Sequence, residues 1–250
     1  MKINVLFSPL TTDELFFTSK TTVVIDVLRA SSTIITALNN GAREVIPVNS
    51  VEFAMKVSGN AFGGQTLLGG ERNTKKIEGF HLGNSPLEYT RETVSGKSLI
   101  LFTTNGSKAV VKAKFSENLY ICAFANIHAV ARQIVALDKD VVVLCAGVQG
   151  AFCIEDSVCA GKVVAEVQKL NESAELSDAA KASVILAKSF GKNINRMLLE
   201  CEHGRTLSEN GFDADISYCS KINTTEILPY FANGIIKAIH PQEAQLQEEK

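Results

Sequence analysis

Short apolar runs alternate with helix-like patterns along the first 170 residues of the chain. Runs rich in β-branched residues predict strands at 3–7, 22–28, 44–48, 98–102, 118–123 and 141–146. Between them, apolar residues at helical spacing predict helices at 32–41, 51–59, 107–114, 126–137 and 155–170. A continuous apolar run such as 22–28 is typical of a strand that is covered on both faces. This alternation predicts a three-layer α/β/α fold with a largely parallel or mixed sheet.

The second half of the chain is more helical. Helix-like spacing covers 177–190 and 193–211, with Gly191, Gly204 and Gly211 as candidate helix ends. Residues 69–86 are too polar and too rich in glycine to predict a regular element, so we expect a long loop there. Because no Pro- or Ser-rich linker interrupts the chain, we predict one domain over 1–250, of one or two lobes, with a frayed polar tail at 240–250.

Composition narrows the class of partner and the compartment. The chain has 250 residues, 46% of them hydrophobic, and a formal net charge of -2, which argues against nucleic acid or an anionic membrane as the main partner. No apolar run approaches the roughly 20 residues that span a bilayer. The first ten residues lack a signal-peptide pattern. Six cysteines without C-x-x-C spacing predict buried, reduced thiols, and therefore a cytoplasmic protein.

The stretch DVLRASST (26–33) places several polar side chains directly after a predicted buried strand. It contains Asp26, Arg29, Ser31 and Ser32. Loops of this kind gather at the carboxyl ends of parallel strands, where ligands bind. Two interpretations remain open for it: Ser31 or Ser32 caps the next helix, or Asp26 binds a metal while Arg29 and the hydroxyls bind an oxyanion.

Two further loops carry candidate ligands for an anion. The stretch TTNGSK follows the strand at 98–102 and opens a helix, whose start favours a bound anion. An ordinary helix cap is the alternative there. Residues 69–86 combine a carboxylate with cations, which suits a metal and an anion but also a solvated surface loop. The candidates in these two loops are Thr104, Asn105, Gly106, Ser107, Glu71, Arg72 and Asn84.

Candidate metal ligands are the carboxylates near these loops. Glu155 and Asp156 start a helix after the Gly-rich loop CAGVQGAFC, where the helix dipole alone favours acids. Mg²⁺ takes oxygen ligands, usually one or two carboxylates with substrate oxygens and water. The candidate set is therefore Asp26, Glu71, Glu155 and Asp156, in no order of preference. His203 and Arg205 could lie at the site or at a helix end.

Several phosphate chemistries are excluded by their motifs. The chain contains no P-loop, no C-x5-R stretch and no G-x-S-x-G nucleophile elbow. Leu28 stands two positions after Asp26, so the paired-Asp signature of haloacid-dehalogenase phosphatases is also missing. No G-x-G-x-x-G opens a helix, which argues against a dinucleotide.

The ordered motifs resemble those of the 2-phosphosulfolactate phosphatase family over nearly the whole chain. They are DVLRASST, GGER with GFHLGNSP, TTNGS, the Gly-rich loop that ends in Glu-Asp, and HGRTLSENGFDADISYC (203–219). The resemblance implies a three-layer α/β/α fold, a homodimer and a Mg²⁺-dependent acid phosphatase. The family's reaction converts 2-phosphosulfolactate to sulfolactate and phosphate, a step toward coenzyme M. His81 stands where the family pattern GFDLGNSP has Asp, so no metal role is carried onto residue 81.

The resulting hypothesis is metal-assisted hydrolysis of a small phosphomonoester. Mg²⁺ held by Asp26 and neighbouring carboxylates would neutralise the phosphate, while Arg29, Arg72 and the TTNGS amides bind its oxygens. Asp26 could be the metal ligand or the nucleophile, and Ser31 or Ser32 are weaker nucleophile candidates. The alternatives are a phosphatase of another small phosphorylated hydroxy acid, or a non-catalytic binder of phospho or sulfo acids. The cations Lys75, Lys76 and Arg205 would suit a second anionic group on the substrate.

Overall fold

The structure is a computed structural model, which describes residues 1–60 and 66–239; the predicted frayed tail at 240–250 lies outside the described residues. The strands of this part of the chain are β1 (Lys2–Leu6), β2 (Thr21–Ile25), β3 (Glu44–Val48), β4 (Thr66–Arg72), β5 (Lys75–Lys76), β6 (Ser98–Phe102), β7 (Asn118–Cys122), β8 (Val141–Cys145), β9 (Glu175–Leu176), β10 (Leu228–Ala232) and β11 (Ile235–Ile239). The helices are α1 (Ala30–Asn39), α2 (Val51–Asn60), α3 (Arg91–Val94), α4 (Gly106–Lys112), α5 (Ile127–Leu137), α6 (Ile154–Leu170), α7 (Asp178–Phe190), α8 (Ile194–Glu200), α9 (Glu202–Glu209) and α10 (Asp213–Cys219).

Among these residues the strands form one mixed sheet in the order β5-β4-β6-β3-β11-β10-β7-β2-β8-β1-β9. One half, from β7 to β9, is parallel, and so is the group β4-β6-β3. The antiparallel hairpin of β10 and β11 joins the two groups. With helices packed on both faces, the protein has a three-layer α/β/α fold, and the predicted fold class is confirmed.

Side chains along each strand alternate between the two faces of the sheet. Val23 and Ile25 of β2 pack in the cluster that includes residues of α5, α6 and α7. Val24 packs in a second cluster with Ile34 of α1 and Val110 of α4. This second cluster contains residues from β2, β7 and β8 and also from β3 and β6, so the sheet curves around α1 and α4.

That curvature determines which loops meet. Four strands separate β6 from β2 in the sheet, and each neighbour is rotated by roughly 20–25°. The carboxyl ends of the two parallel groups nevertheless approach each other. Gly106, after β6, lies so close to Asp26, after β2, that a Cβ on Gly106 would stand 2.5 Å from Asp26 Oδ2. The loops predicted to share one edge of the sheet therefore do meet, across an inserted hairpin.

The prediction that 69–86 contains no regular element is wrong. β4 covers Thr66–Arg72 and pairs with β6, and β5 returns beside it. Gly69 and Gly70, two of the glycines that suggested a loop, are places where another group comes too close for a side chain. A Cβ on Gly69 would stand 2.2 Å from Tyr89 Oη, and one on Gly70 would stand 1.9 Å from the carbonyl oxygen of Phe102.

The helix predicted over 193–211 is two helices, α8 and α9, and the break falls at Cys201 rather than at a glycine. Cys201 has extended backbone angles, and its Sγ accepts a hydrogen bond from Gly204 N at 3.2 Å. Gly204 lies inside α9, and it is a glycine because a Cβ there would stand 1.6 Å from the carbonyl oxygen of Leu198. The hairpin β10–β11 and helix α10 follow in a region for which the sequence analysis predicts no elements.

All six cysteines are buried and none forms a disulfide, as predicted. Within 1–60 and 66–239, no helix is both long enough and apolar enough to cross a membrane.

Candidate active site

A cavity of about 310 Å³ opens where the loops after β2, β4, β6 and β8 face helix α9. The predicted site residues that line it are Asp26, Arg29, Glu71, Asn84, Thr104, Asn105 and His203. The predicted site residues outside the lining are Ser31, Ser32, Arg72, Gly106, Ser107, Glu155, Asp156 and Arg205. The lining residues that the sequence analysis missed are Leu28, Asn73, Thr74, Val148, Gln149, Glu202, Thr206 and Asn210.

Asp26 is held in place by its own loop. Its backbone N–H donates to Ser31 Oγ at 2.9 Å, and its Oδ1 accepts from Ala30 N at 3.1 Å. The Ser32 hydroxyl donates to the carbonyl oxygen of Val27 at 2.9 Å. Because Arg29 occupies the N-cap position of α1 without a side-chain capping bond, the prediction that Ser31 or Ser32 caps this helix is wrong. Both serines are buried and brace the loop, and a catalytic role for them stays a prediction.

The environment of Asp26 disfavours the ionised form of its carboxyl group. Burial raises the pKa of Asp26 from 3.8 to about 6, and the nearby carboxylates Glu71 and Glu155 push it in the same direction. His203 and the Ala30 amide oppose the rise without cancelling it. The ionised form therefore carries a negative charge that its neighbours do not fully compensate.

Glu71 joins two of the loops. Its Oε1 accepts from Thr104 N at 2.7 Å, while its Oε2 accepts from Thr104 Oγ1 at 3.1 Å and from Thr74 N at 2.9 Å. These bonds tie the turn between β4 and β5 to the loop after β6.

The start of α4 lies directly against Asp26. Besides its approach to Asp26 Oδ2, a Cβ on Gly106 would stand 2.5 Å from Ala30 Cβ, so a glycine is needed at this contact. Asn105 precedes the helix, and its Oδ1 accepts from Gln149 N at 2.9 Å, which joins the loop after β6 to the loop after β8. The Ser107 hydroxyl and backbone N–H bond to Thr103 of the same loop.

Arg29 is enclosed on several sides. Its Nη1 lies 2.7 Å from Asp215 Oδ2, its Nη2 donates to the carbonyl oxygen of Thr74 at 3.0 Å, and its Cζ lies 4.0 Å from the centre of the Phe212 ring. Asp215 also accepts from Ser85 Oγ at 2.7 Å. The peptide bond before Arg29 is cis. Asp215 stands 186 positions from Arg29, and no local pattern in the sequence indicates their pairing.

Glu155 and Asp156 lie behind the cavity. Both oxygens of Asp156 accept backbone N–H groups, from Val27 at 2.9 Å and from Gly147 at 3.0 Å, so this side chain braces two strand ends. Burial raises its pKa well above the ordinary value, and Asp26 and Glu155 add to the rise. Glu155 Oε1 lies 3.4 Å from His203 Nδ1.

His203, which pairs with Glu155, has its imidazole ring at the cavity wall. Burial by itself would raise the pKa of Glu155, but the hydrogen bond and charge of His203 hold it below the ordinary value. Burial by itself would lower the pKa of His203, but Glu155, Asp26 and Asp156 raise it above the ordinary value. The two side chains therefore favour a carboxylate beside an imidazolium.

Asn84 has an unpaired buried atom. The residue is 5% exposed and lines the cavity, and its Oδ1 has no hydrogen-bond partner among residues 1–60 and 66–239. Its backbone carbonyl accepts from Thr33 Oγ1 at 2.9 Å, which fixes the segment beside α1. Because buried polar groups are nearly always paired, this unpaired amide oxygen at a cavity wall is a candidate contact for a ligand.

Five residues to which the sequence analysis drew attention lie away from the cavity. Arg72 is exposed, with its guanidinium carbon 5.9 Å from the centre of the Phe102 ring, and Arg205 is exposed and donates to the carbonyl oxygen of Glu200. Lys75 and Lys76 are exposed on β5. His81 is exposed, and its Nδ1 accepts from a backbone N–H of β4.

Comparison with known proteins places these features in one family. A profile described as 2-phosphosulpholactate phosphatase matches residues 8–234. Three curated relatives bear the name probable 2-phosphosulfolactate phosphatase. The protein of Caldanaerobacter subterraneus subsp. tengcongensis is 44% identical over 87% of this chain and 90% of its own length. The Clostridium novyi protein is 42% identical over 92% of this chain and 97% of its own. The Clostridium acetobutylicum protein is 40% identical over 94% of this chain and 100% of its own. The chain therefore belongs to the 2-phosphosulfolactate phosphatase family.

Proposed function

We propose that this chain hydrolyses 2-phosphosulfolactate to sulfolactate and phosphate and requires Mg²⁺ to do so, as the step toward coenzyme M that the family resemblance implies. Family membership and the names of the curated relatives support the substrate. The observation that carries the chemistry is that Asp26, Glu71 and Arg29 line the same cavity. Carboxylates for a metal and a guanidinium for a phosphate are the groups that phosphoryl transfer uses.

The lining fits Mg²⁺ bound together with substrate. Asp26 and Glu71 would hold the ion, because they are oxygen donors and because the raised pKa of Asp26 reflects an uncompensated charge that a cation would relieve. Within the described residues, no three His, Cys, Asp or Glu side chains form a set that could hold a metal. Two carboxylates leave positions for substrate oxygens and water, which is how Mg²⁺ is usually bound. When bound, the ion would neutralise charge on the phosphate.

The chain's own residues would orient the ester. Arg29 uses one N–H of each Nη in the contacts above, and a guanidinium has five N–H donors in all, so donors remain for phosphate oxygens. His203 would donate from Nε2, because its Nδ1 faces Glu155. The unpaired amide of Asn84 offers a further contact. Both roles that the sequence leaves open for Asp26, metal ligand and nucleophile, require its ionised form.

The test is phosphate release by the purified protein from 2-phosphosulfolactate with MgCl₂ or with EDTA. We expect release that EDTA abolishes and that Asp26→Asn lowers by at least ~100-fold, a loss typical of removing a charged group from an active site. Glu172→Gln, which removes an exposed carboxylate, is the matched control and keeps wild-type activity. Faster release from phospholactate or phosphoglycolate would assign the protein to another phosphorylated hydroxy acid. Tight binding of 2-phosphosulfolactate without release at any metal concentration would make the chain a binder and contradict the proposal.

We also propose that the protein is a cytoplasmic homodimer. The family resemblance supports the dimer, and six buried, unpaired thiols support a reducing compartment. Light scattering after size-exclusion chromatography tests the dimer, and a mass of one chain would contradict it.

A further inference from the structure

Arg29 reaches the cavity from a position where a free guanidinium would be costly. The residue is 3% exposed, and Asp215, its ion-pair partner, is 2% exposed. A buried ion pair adds little to stability compared with apolar side chains of similar volume, because both charges lose their hydration. Stability alone therefore does not account for a buried Arg29–Asp215 pair at the wall of a cavity.

Asp215 contacts two separate parts of the cavity wall. One of its oxygens pairs with Arg29 at 2.7 Å, and the other accepts from Ser85 Oγ at 2.7 Å. Ser85 directly follows Asn84, the residue with the unpaired amide oxygen. A single carboxylate thus fixes the loop after β2 and the segment before α3 relative to helix α10.

Two further contacts leave Arg29 little freedom of rotation. The Phe212 ring covers the guanidinium at 4.0 Å, and the carbonyl oxygen of Thr74 takes a second N–H. Phe212 directly precedes α10, so the same short segment provides both the carboxylate and the ring. The pair is more rigid than a surface salt bridge, in which both side chains move freely.

We propose that Asp215 is a positioning residue that holds the Arg29 guanidinium at the cavity wall, so that its remaining N–H donors bind the phosphate of the substrate. This inference rests on the proposed function for the identity of the ester, and it requires only that the cavity binds a phosphate group. Asp215 acts through Arg29 and Ser85 and does not line the cavity. Carboxylates that orient a ligand-binding group in this way typically matter by ~10- to 100-fold.

The experiment compares Asp215→Asn with Asp213→Asn. Asp213 lies on the same helix, is exposed, and accepts from Ser208 Oγ. Inorganic phosphate is titrated into each protein by calorimetry, with and without MgCl₂, and the thermal shift caused by MgCl₂ alone is measured separately. We expect Asp215→Asn to weaken phosphate binding by ~10- to 100-fold while keeping the shift that MgCl₂ causes in the wild type. Asp213→Asn should match the wild type in both measurements.

The selective loss of phosphate binding distinguishes positioning from a general structural role. Equal phosphate affinity in the two variants, or no phosphate binding by the wild type under either condition, overturns the proposal. If Asp215→Asn does not fold, Asp215→Glu decides, because it keeps the charge of the ion pair but moves the carboxylate by one methylene from the position that holds Arg29. We then expect phosphate binding weaker by ~10-fold, at the lower end of such effects, and wild-type affinity overturns the proposal. A wild type that binds phosphate but releases none from 2-phosphosulfolactate contradicts the proposed function and leaves the role of Asp215 standing.

Discussion

Asp26→Asn is expected to make the metal-free protein more stable while it removes activity. Burial raises the pKa of Asp26 from 3.8 to about 6. A shift of about two units corresponds to ~3 kcal/mol, at ~1.4 kcal/mol per unit, by which the folded state disfavours the ionised carboxylate. An amide carries no charge and keeps an oxygen for the hydrogen bond from Ala30 N. Because the new NH₂ group beside Gly106 needs its own partner, we expect a net gain of about 1–3 kcal/mol at pH 7.5.

The pH dependence provides the sharper measurement. A carboxylate whose pKa is raised in the folded state binds its proton there at a higher pH than in the unfolded chain. Its cost to stability is therefore absent below about pH 4, grows between pH 4 and pH 6, and is complete above pH 6. Urea unfolding in EDTA at pH 4 and at pH 7.5 gives the difference in free energy between the wild type and Asp26→Asn. We expect that difference to be small at pH 4 and 1–3 kcal/mol at pH 7.5.

Two results would refute this reasoning. If Asp26→Asn unfolds more easily than the wild type at pH 7.5 in EDTA, the carboxylate is compensated and contributes to stability. If the difference is the same at both pH values, it does not come from the charge of Asp26. Glu172→Gln is the control for removal of an exposed carboxylate and should change stability by less than ~0.5 kcal/mol at either pH. With MgCl₂ in place of EDTA, only proteins that keep Asp26 should gain stability.

Three further predictions follow from the contacts. Gly106→Ala places a Cβ 2.5 Å from Asp26 Oδ2, so it should abolish the thermal shift that MgCl₂ causes in the wild type. Arg72→Ala should change kcat/KM by less than ~3-fold, because its side chain is exposed. Arg29→Met should lower kcat/KM by at least ~100-fold, because it removes a charged contact to phosphate. Steady-state kinetics measures both values. Because burial raises the pKa of the Cys201 thiol to about 12, and all six cysteines are buried, Ellman's reagent should label none in the native protein and six in guanidinium chloride.

The layer architecture was predictable because β-branched apolar runs and helical periodicity are local signals. The elements that the sequence did not predict depend on contacts between residues that are far apart in the chain. Gly69 and Gly70 weaken the strand signal of β4, and only Tyr89 and Phe102 explain why glycine stands there. The hairpin of β10 and β11 did carry a local signal, since Asn233 and Gly234 form its turn with positive φ angles of 53° and 83°. Its place between the two parallel groups of strands, however, has no counterpart in the local sequence.

Some residues of the candidate site were likewise predictable from local signals, and others were not. Asp26, Glu71 and Thr104 follow strand ends or lie at them, so their convergence could be inferred from the rule that loops gather at the carboxyl ends of parallel strands. Arg72 stands next to Glu71 in the sequence but is exposed on the surface, because alternate residues of a strand face opposite sides. The register of β4 decides which of the two side chains is buried, and the sequence did not predict it because the glycines weaken the strand pattern. Arg205 likewise lies on α9 with His203, but it is not on the face of the helix that lines the cavity.

The balance of charge in the cavity explains why the proposed reaction would need a cation. Of the residues that line it, Arg29 and His203 are the cationic side chains, and the carboxylates Asp215 and Glu155 already pair with them. Asp26, Glu71 and the exposed Glu202 therefore leave the cavity with excess negative charge, and Glu71 adds to the rise in the pKa of Asp26 that burial causes. A phosphate ester that entered alone would meet this excess at short range, where like charges in a poorly hydrated space repel strongly. A divalent cation held by Asp26 and Glu71 would cancel their two negative charges, so on this charge distribution we expect the metal to enter before the substrate or together with it.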